Sequence, residues 1–225
     1  MRAKYNAFPM RIVLAAIACV CVLAAGARDA RAQDPPPPIS PFVFDFRGST
    51  RNFPDSPDLA ASRGLSASEL PGRGLGFDAA AHVHLFKWKA ITFGVGGQFT
   101  IGRAHLDASD SAGVRAVTET LTSLNSDLSL NFGDGEGWSY LSAGPGFSIW
   151  ELVADEVGPT AADEERLTTF NYGGGARWFA RRRFGFHFDV RFYNINPGTP
   201  SGAFPGSPRS RIIVVGAGVS VKPWR

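Results

Sequence analysis

A period of two residues constrains this chain more than any other feature. From Phe184 onward, Phe184, Phe186, Phe188, Val190 and Phe192 alternate with His187, Asp189, Arg191 and Tyr193. Successive side chains of an extended strand point to opposite faces, so one face of this segment is greasy and the other charged. The same alternation recurs at about 42–49, 74–87, 90–103, 117–132, 138–152, 167–179 and 210–223. In the first of these, Phe42, Phe44 and Phe46 oppose Val43, Asp45 and Arg47, and in the second Phe77, Val83 and Leu85 oppose Asp78, His82 and His84. The contrast is weakest in the last, where Ile212 and Val214 stand opposite Ile213 and Val215. No window sustains an apolar stripe at helical spacing, and the fold class is therefore all-β.

The connections between these segments alternate strictly. They run long at 50–73, 103–116, 153–166 and 194–209, and short at 88–89, 133–137 and 180–183. All tight turns then fall at one end of an up-and-down sheet and all long loops at the other. Eight antiparallel strands laid out in this way predict a closed transmembrane β-barrel, with short turns on the inner side of the membrane and long loops outside.

Alternation alone leaves open which face points inward, because a soluble barrel could keep its apolar face around a ligand. Volume decides. Most of the 18 phenylalanines lie on the apolar face, and the interior of an eight-stranded barrel is only just wide enough for a modest filling of side chains. The apolar face belongs against lipid. The lumen then receives Asp45, Arg47, Asp78, His82, His84, Asp127, Arg177, His187, Asp189 and Arg191, which are expected to pair as a polar network filling it, since charges removed from water must find partners. Trp88, Trp138, Trp178 and Trp224 fall at the short-turn end, where an aromatic membrane-interface girdle is expected.

The N-terminus carries an export signal. Arg2, Lys4 and Arg11 precede an apolar run from Ile12 to Ala25, and Ala30-Arg31-Ala32 is an A-x-A cleavage pattern. Cleavage is expected between Ala32 and Gln33. The domains are thus a signal peptide over 1–32, a proline-rich extended linker over 33–41 and a barrel over 42–225. Both cysteines, Cys19 and Cys21, leave with the signal, so no disulfide is expected. Five basic residues and one acid leave as well, which turns the formal +3 of the whole chain into a value near −1. A nucleic-acid partner has no support in that balance.

From Asn171 to Ile195 the run NYGGGARWFARRRFGFHFDVRFYNI resembles the penultimate hairpin of the OmpA-like outer-membrane β-barrel family. Gly173-Gly174-Gly175 followed by an aromatic pair, the tight basic turn, and the strand from Gly185 to Arg191 with Asp189 and Arg191 inward carry the resemblance. It implies that about 40–225 is one porin-type eight-stranded barrel in the outer membrane of a Gram-negative-type envelope, without a following peptidoglycan-binding domain. Partners implied are outer-membrane lipid and the barrel-insertion machinery. Many family members end in an aromatic residue, whereas this chain ends Lys222-Pro223-Trp224-Arg225.

No catalytic residue is assigned. There is no G-x-S-x-G, and His82-x-His84 lacks a third converging ligand fixed by spacing, so neither a metal nor another cofactor is expected. The expected role is non-enzymatic, structural or in surface interaction through the long loops, with residues 50–73 as the candidate extracellular partner surface. The alternatives are a narrow porin or a barrel that binds or transports a small ligand and, less favoured, a lipid-modifying outer-membrane enzyme.

Overall fold

The computed structural model describes residues 36–111, 113–155, 164–200, 202 and 205–223. The signal peptide, the cleavage pair Ala32 and Gln33, the first linker residues and Trp224 lie outside the described residues. The eight alternating windows form β1 (Phe42–Asn52), β2 (Arg73–Trp88), β3 (Ile91–Leu106), β4 (Val117–Gly133), β5 (Gly137–Ala154), β6 (Glu164–Trp178), β7 (Phe184–Ile195) and β8 (Ser210–Val221). Each pairs antiparallel with the next, and β8 returns to pair with β1 from Phe44↔Val221 to Asn52↔Ile213. The sheet is a closed barrel. Closure satisfies the ladder groups of every strand and leaves no edge, which is what lets strands cross a membrane.

At the long-loop end several strands outrun the sequence reading by two or three residues. β1 continues through Thr50↔Leu75 to Asn52↔Arg73, and β7 runs on to Ile195. Backbone pairing persists there after the contrast between the two faces has faded. At the opposite end, β2 and β3 are joined by two residues, with Lys89 in the left-handed region at φ 53°, as the tightest hairpin turns require.

The outer wall is apolar and open. Leu75 is 71% exposed, Leu128 69% and Phe186 66%, and Phe42, Phe46, Phe77, Leu141, Phe170 and Val219 share that face. An apolar belt of this extent marks a surface built for a partner or a membrane rather than for water. Trp88 and Trp178 stand on it at the short-turn end. Trp138 does not. It is buried, stacked on Phe179 at 5.0 Å and edge-on to His84 at 5.6 Å. Its height matched the girdle, but its parity in β5 is that of Tyr140 and Ser142, so it turns inward and forms an apolar floor with Ile39 and Val43.

The interior has two chemistries. Over the middle and the short-turn side it is polar and charged, whereas toward the long loops it becomes a hydrophobic core of Leu121, Trp150, Leu152, Leu167, Ile195, Ile212 and Val214. The all-polar filling expected from the sequence is corrected to that extent. The loop after β1 supplies the rest of this core. Helix α1 (Pro57–Ser62), N-capped by Ser56, and a 3₁₀ turn at Ala67–Glu69 fold into the mouth, burying Phe53, Leu59, Ala60 and Leu70. Residues 50–73 are therefore not a free outer loop: the first three continue β1, and the apolar part of the rest is a stopper. The described part of the linker is likewise not a free tether. Gly135 N donates to Pro37 O at 2.6 Å, and His84 N donates to Pro41 O at 2.8 Å, which holds 37–41 against the short-turn end.

Candidate functional site

The lumen brings together all ten polar residues expected to face it, each at most 9% exposed. Their arrangement follows from register. On β1, Asp45, Arg47 and Arg51 share inward parity. Asp45 receives the Arg177 guanidinium in a forked contact, from Nε at 3.0 Å and Nη2 at 2.6 Å, and Ser220 Oγ donates to it at 2.5 Å. His187 Nδ1 lies 3.3 Å from the same carboxylate, and His82 Nε2 lies 3.6 Å away.

A second cluster sits on Asp189, which faces Arg47 at 3.0 Å and Arg191 at 3.1 Å and accepts from the Tyr140 hydroxyl. Tyr140 also lies 2.6 Å from His187 Nε2, which joins the two clusters. Arg191 reaches Asp127 at 3.2 Å, Asn171 at 2.7 Å and Ser142 at 2.7 Å. Nearer the loops, Arg51 donates to Asp78 at 3.1 Å and Thr100 at 2.9 Å. Arg47, Arg51, Arg177 and Arg191 thus face Asp45, Asp78, Asp127 and Asp189. These eight stand four against four, which spares each the cost of a buried ion without a partner.

Arg51, Tyr140, Ser220 and Asn171 belong to this network and were not singled out in the sequence. The faded contrast after Ser49 places Arg51 in a loop by sequence, although it shares its parity with Asp45 and Arg47. Glycine gives the other signal. A Cβ on Gly102 would stand 1.6 Å from Arg51 Nη1, and one on Gly96 would stand 2.4 Å from His82 Nδ1. Inward glycines mark where a neighbouring strand places a large side chain across the lumen.

Nothing in this arrangement converges as a ligand set. His82 faces Asp45 while His84 Nδ1 meets Ser40 O at 2.5 Å, and among the described residues no group of three or more His, Cys, Asp or Glu is placed to hold a metal.

Both mouths are tied shut. At the short-turn end Lys222 Nζ donates to Gly135 O at 2.5 Å and lies 3.7 Å above the Phe179 ring; burial pushes its ammonium below the ordinary lysine range. At the loop end Glu69 takes Arg115 Nε at 2.7 Å and Nη2 at 3.2 Å. The Arg115 guanidinium, helped by the backbone of Ser66, holds the Glu69 carboxyl down at about 2. Arg63 meets Glu165 at 3.1 Å, and the same carboxylate accepts from Ser207 in the last loop. Asp45 and Arg191 are 0% exposed. A water-filled channel would leave its lining wet, so this lumen is a packed core.

A closed eight-stranded barrel with an apolar wall and a charge-balanced interior has the architecture of the small outer-membrane barrels. Two solved structures of one protein agree on the fold. Ail, the attachment invasion locus protein of Yersinia pestis, in complex with a heparin analogue, is 11% identical with a TM-score of 0.52 over 81% of this chain and 98% of that one. A second structure of the same Ail protein is 12% identical with a TM-score of 0.51 over the same shares. Neisserial surface protein A is 15% identical, with a TM-score of 0.49 over 81% of this chain and 97% of that one. No protein-family model matches the sequence, and no curated protein matches it.

Proposed function

We propose that the chain is an exported outer-membrane barrel that neither conducts solutes nor catalyses a reaction, and that it serves the envelope as a structural element presenting its long-loop end to the outside. One observation carries this reading: the charged network from Asp45 to Arg191 is closed off from solvent at both mouths, by the 37–41 segment below and by α1 above. An eight-stranded cylinder has room for that network or for a water path, and not for both. Export through the signal peptide cut after Ala32 and folding by the insertion machinery are parts of the same reading. What remains for an extracellular partner is the outer face of the stopper, where Asp55, Asp58, Ala61 and Ser66–Ser68 are exposed or half-buried.

Purified protein inserted into planar bilayers is expected to be electrically silent at moderate voltage. Steady unitary conductance would overturn the closed-lumen reading. Insertion has its own check, because a closed barrel unfolds slowly enough in SDS to migrate differently before and after boiling.

A further inference from the structure

The outer wall carries a concavity of about 430 Å³ where β8, β1 and β2 meet near the long-loop rim, lined by Thr50, Asn52, Arg73, Leu75, Ile213 and Val215. Its floor is low because the outward positions of β1 here are small or short: Gly48, Thr50 and Asn52. Its sides are apolar and open, with Leu75 at 71% and Val215 at 39% exposure. Leu75 and Val215 both face Thr50 across the ladders. On a wall turned to lipid, a notch with apolar sides fits one hydrocarbon chain.

Its upper edge is cationic. Arg73 lines it directly, and Arg103 faces Leu75 across the β2–β3 ladder. Arg73 stands two residues before Leu75, which makes the two arginines diagonal neighbours on one face, with roots roughly 7–8 Å apart. Two guanidinium groups at that separation repel each other and can share one tetrahedral dianion between them. Both are exposed, and among the described residues neither is paired with a carboxylate. The nearest acids do not touch either guanidinium: Asp107 lies 3.2 Å from His105 Nε2, and Asp155 accepts from Thr118 Oγ1 at 3.0 Å. Arg103 donates to Thr118 Oγ1 at 3.3 Å, so one hydroxyl stands between it and the Asp155 carboxylate. Arg211 adds a third positive charge one row higher on β8, oriented by Asn194 at 2.9 Å.

We infer that this notch is a seat for one phosphorylated lipid of the outer leaflet, with an acyl chain between Leu75 and Val215 and a phosphate held by Arg73 and Arg103. The apolar notch and the arginine pair lie within one strand step of each other, at the long-loop end of the apolar belt. A free phosphate would use the arginines and leave the notch idle. A membrane lipid uses both. The inference rests on the belt lying in a membrane.

The test uses folded protein in phosphatidylcholine nanodiscs doped with bisphosphoryl lipid A, monophosphoryl lipid A or phosphatidylglycerol, with retained lipid counted by native mass spectrometry. One retained bisphosphoryl lipid A per barrel is expected, with weaker retention of the other two. R73Q/R103Q should lower retention about tenfold. T50F, which fills the notch and leaves the arginines in place, should lower it by a similar factor. R166Q is the control, since Arg166 sits over Phe147 away from the notch, and it should retain lipid like the parent. Equal retention by R73Q/R103Q, or by T50F, overturns the proposal, as does full displacement by millimolar inorganic phosphate. Failure of the parent to enter nanodiscs would instead defeat the membrane reading itself, whereas entry without retained lipid defeats this inference alone.

Discussion

The two layers of the lumen fill the same narrow cylinder by opposite means. In the charged layer, each group has a required partner on a distant strand: Asp45 on β1 is met by Arg177 on β6, 132 residues away. In the layer beneath the loops, Leu121, Leu152, Ile195 and Ile212 need only volume, Trp150 adds a single bond from its Nε1 to the buried Glu119 carboxylate at 2.9 Å, and the shortfall in volume is made up by Leu59 and Phe53 from a loop. Tyr193 belongs to both, packed in the apolar core while its hydroxyl accepts from Gln98 at 2.8 Å. The charged layer therefore specifies which strand stands opposite which, and the apolar layer closes the mouth with interchangeable material. Dispersion and burial are forgiving of identity, whereas a buried ion left without its partner is not.

The largest expected effect comes from breaking the charged layer. Asp45→Ala strands Arg177 in the barrel interior and removes the acceptor for Ser220, at a cost of roughly 3–5 kcal/mol. Urea unfolding of the barrel in lipid vesicles would show this as a lower midpoint. The double variant Asp45→Leu with Arg177→Met should recover most of the loss, because buried pairs replaced together by apolar groups of similar volume are often near neutral. If the double variant is as unstable as the single one, the pair is not the source of the cost.

Next in size is the apolar layer. Leu121→Ala is expected to destabilise by about 2–4 kcal/mol through lost burial and the cavity it leaves, while Leu121→Met should cost less than about 1.5 kcal/mol. The same urea midpoints test both. A methionine that costs as much as the alanine would mean this layer is as particular about shape as the charged layer is about partners.

The sequence exposed these layers unequally. Strand number, pairing order and closure were legible because a two-residue period with phenylalanine on one face has few solutions, and the ten lumen residues followed from parity alone. Parity also contained what was misjudged. Trp138 was placed by its height among the tryptophans, although its two-residue step to Tyr140 and Ser142 turns it inward. Arg51 was lost with the end of β1, since Thr50 and Asn52 give no apolar contrast to mark a strand. The stopper was not legible. Pro54, Pro57 and Pro71 read as a loop, and a six-residue helix is too short to show a periodic stripe; Leu59 and Phe53 become core only once the barrel mouth exists to receive them.

A smaller and more local effect separates the stopper from the barrel. Leu59→Asp places a carboxylate in the apolar layer and should drive α1 out of the mouth. Limited proteolysis is expected to cut within 53–72, while the strands, whose ladders do not involve α1, keep their resistance to SDS. If SDS resistance is lost together with the loop, stopper and barrel fold as one unit and the two-layer distinction fails at that boundary.

The smallest expected effect concerns how the stopper is fastened, and its pH dependence has a definite sign. Glu69 has an ordinary carboxyl value of 4.5, lowered to about 2 beside Arg115. A carboxyl lowered by folding contributes stability that is complete above its unfolded value and disappears as pH falls through its folded value. The contact between the first two long loops should hold at full strength above about pH 4.5 and weaken down to about pH 2. Protection of the Ala67–Leu70 amides against hydrogen exchange, corrected for the intrinsic pH dependence of exchange, would follow that window. Glu69→Gln keeps the side-chain shape and the Ser66 contact but removes the charge, so its protection should start lower, by about 1 kcal/mol, and stay flat from pH 5 to 2. Parallel profiles for parent and variant would mean that the Glu69 carboxylate is not what loosens the stopper at low pH.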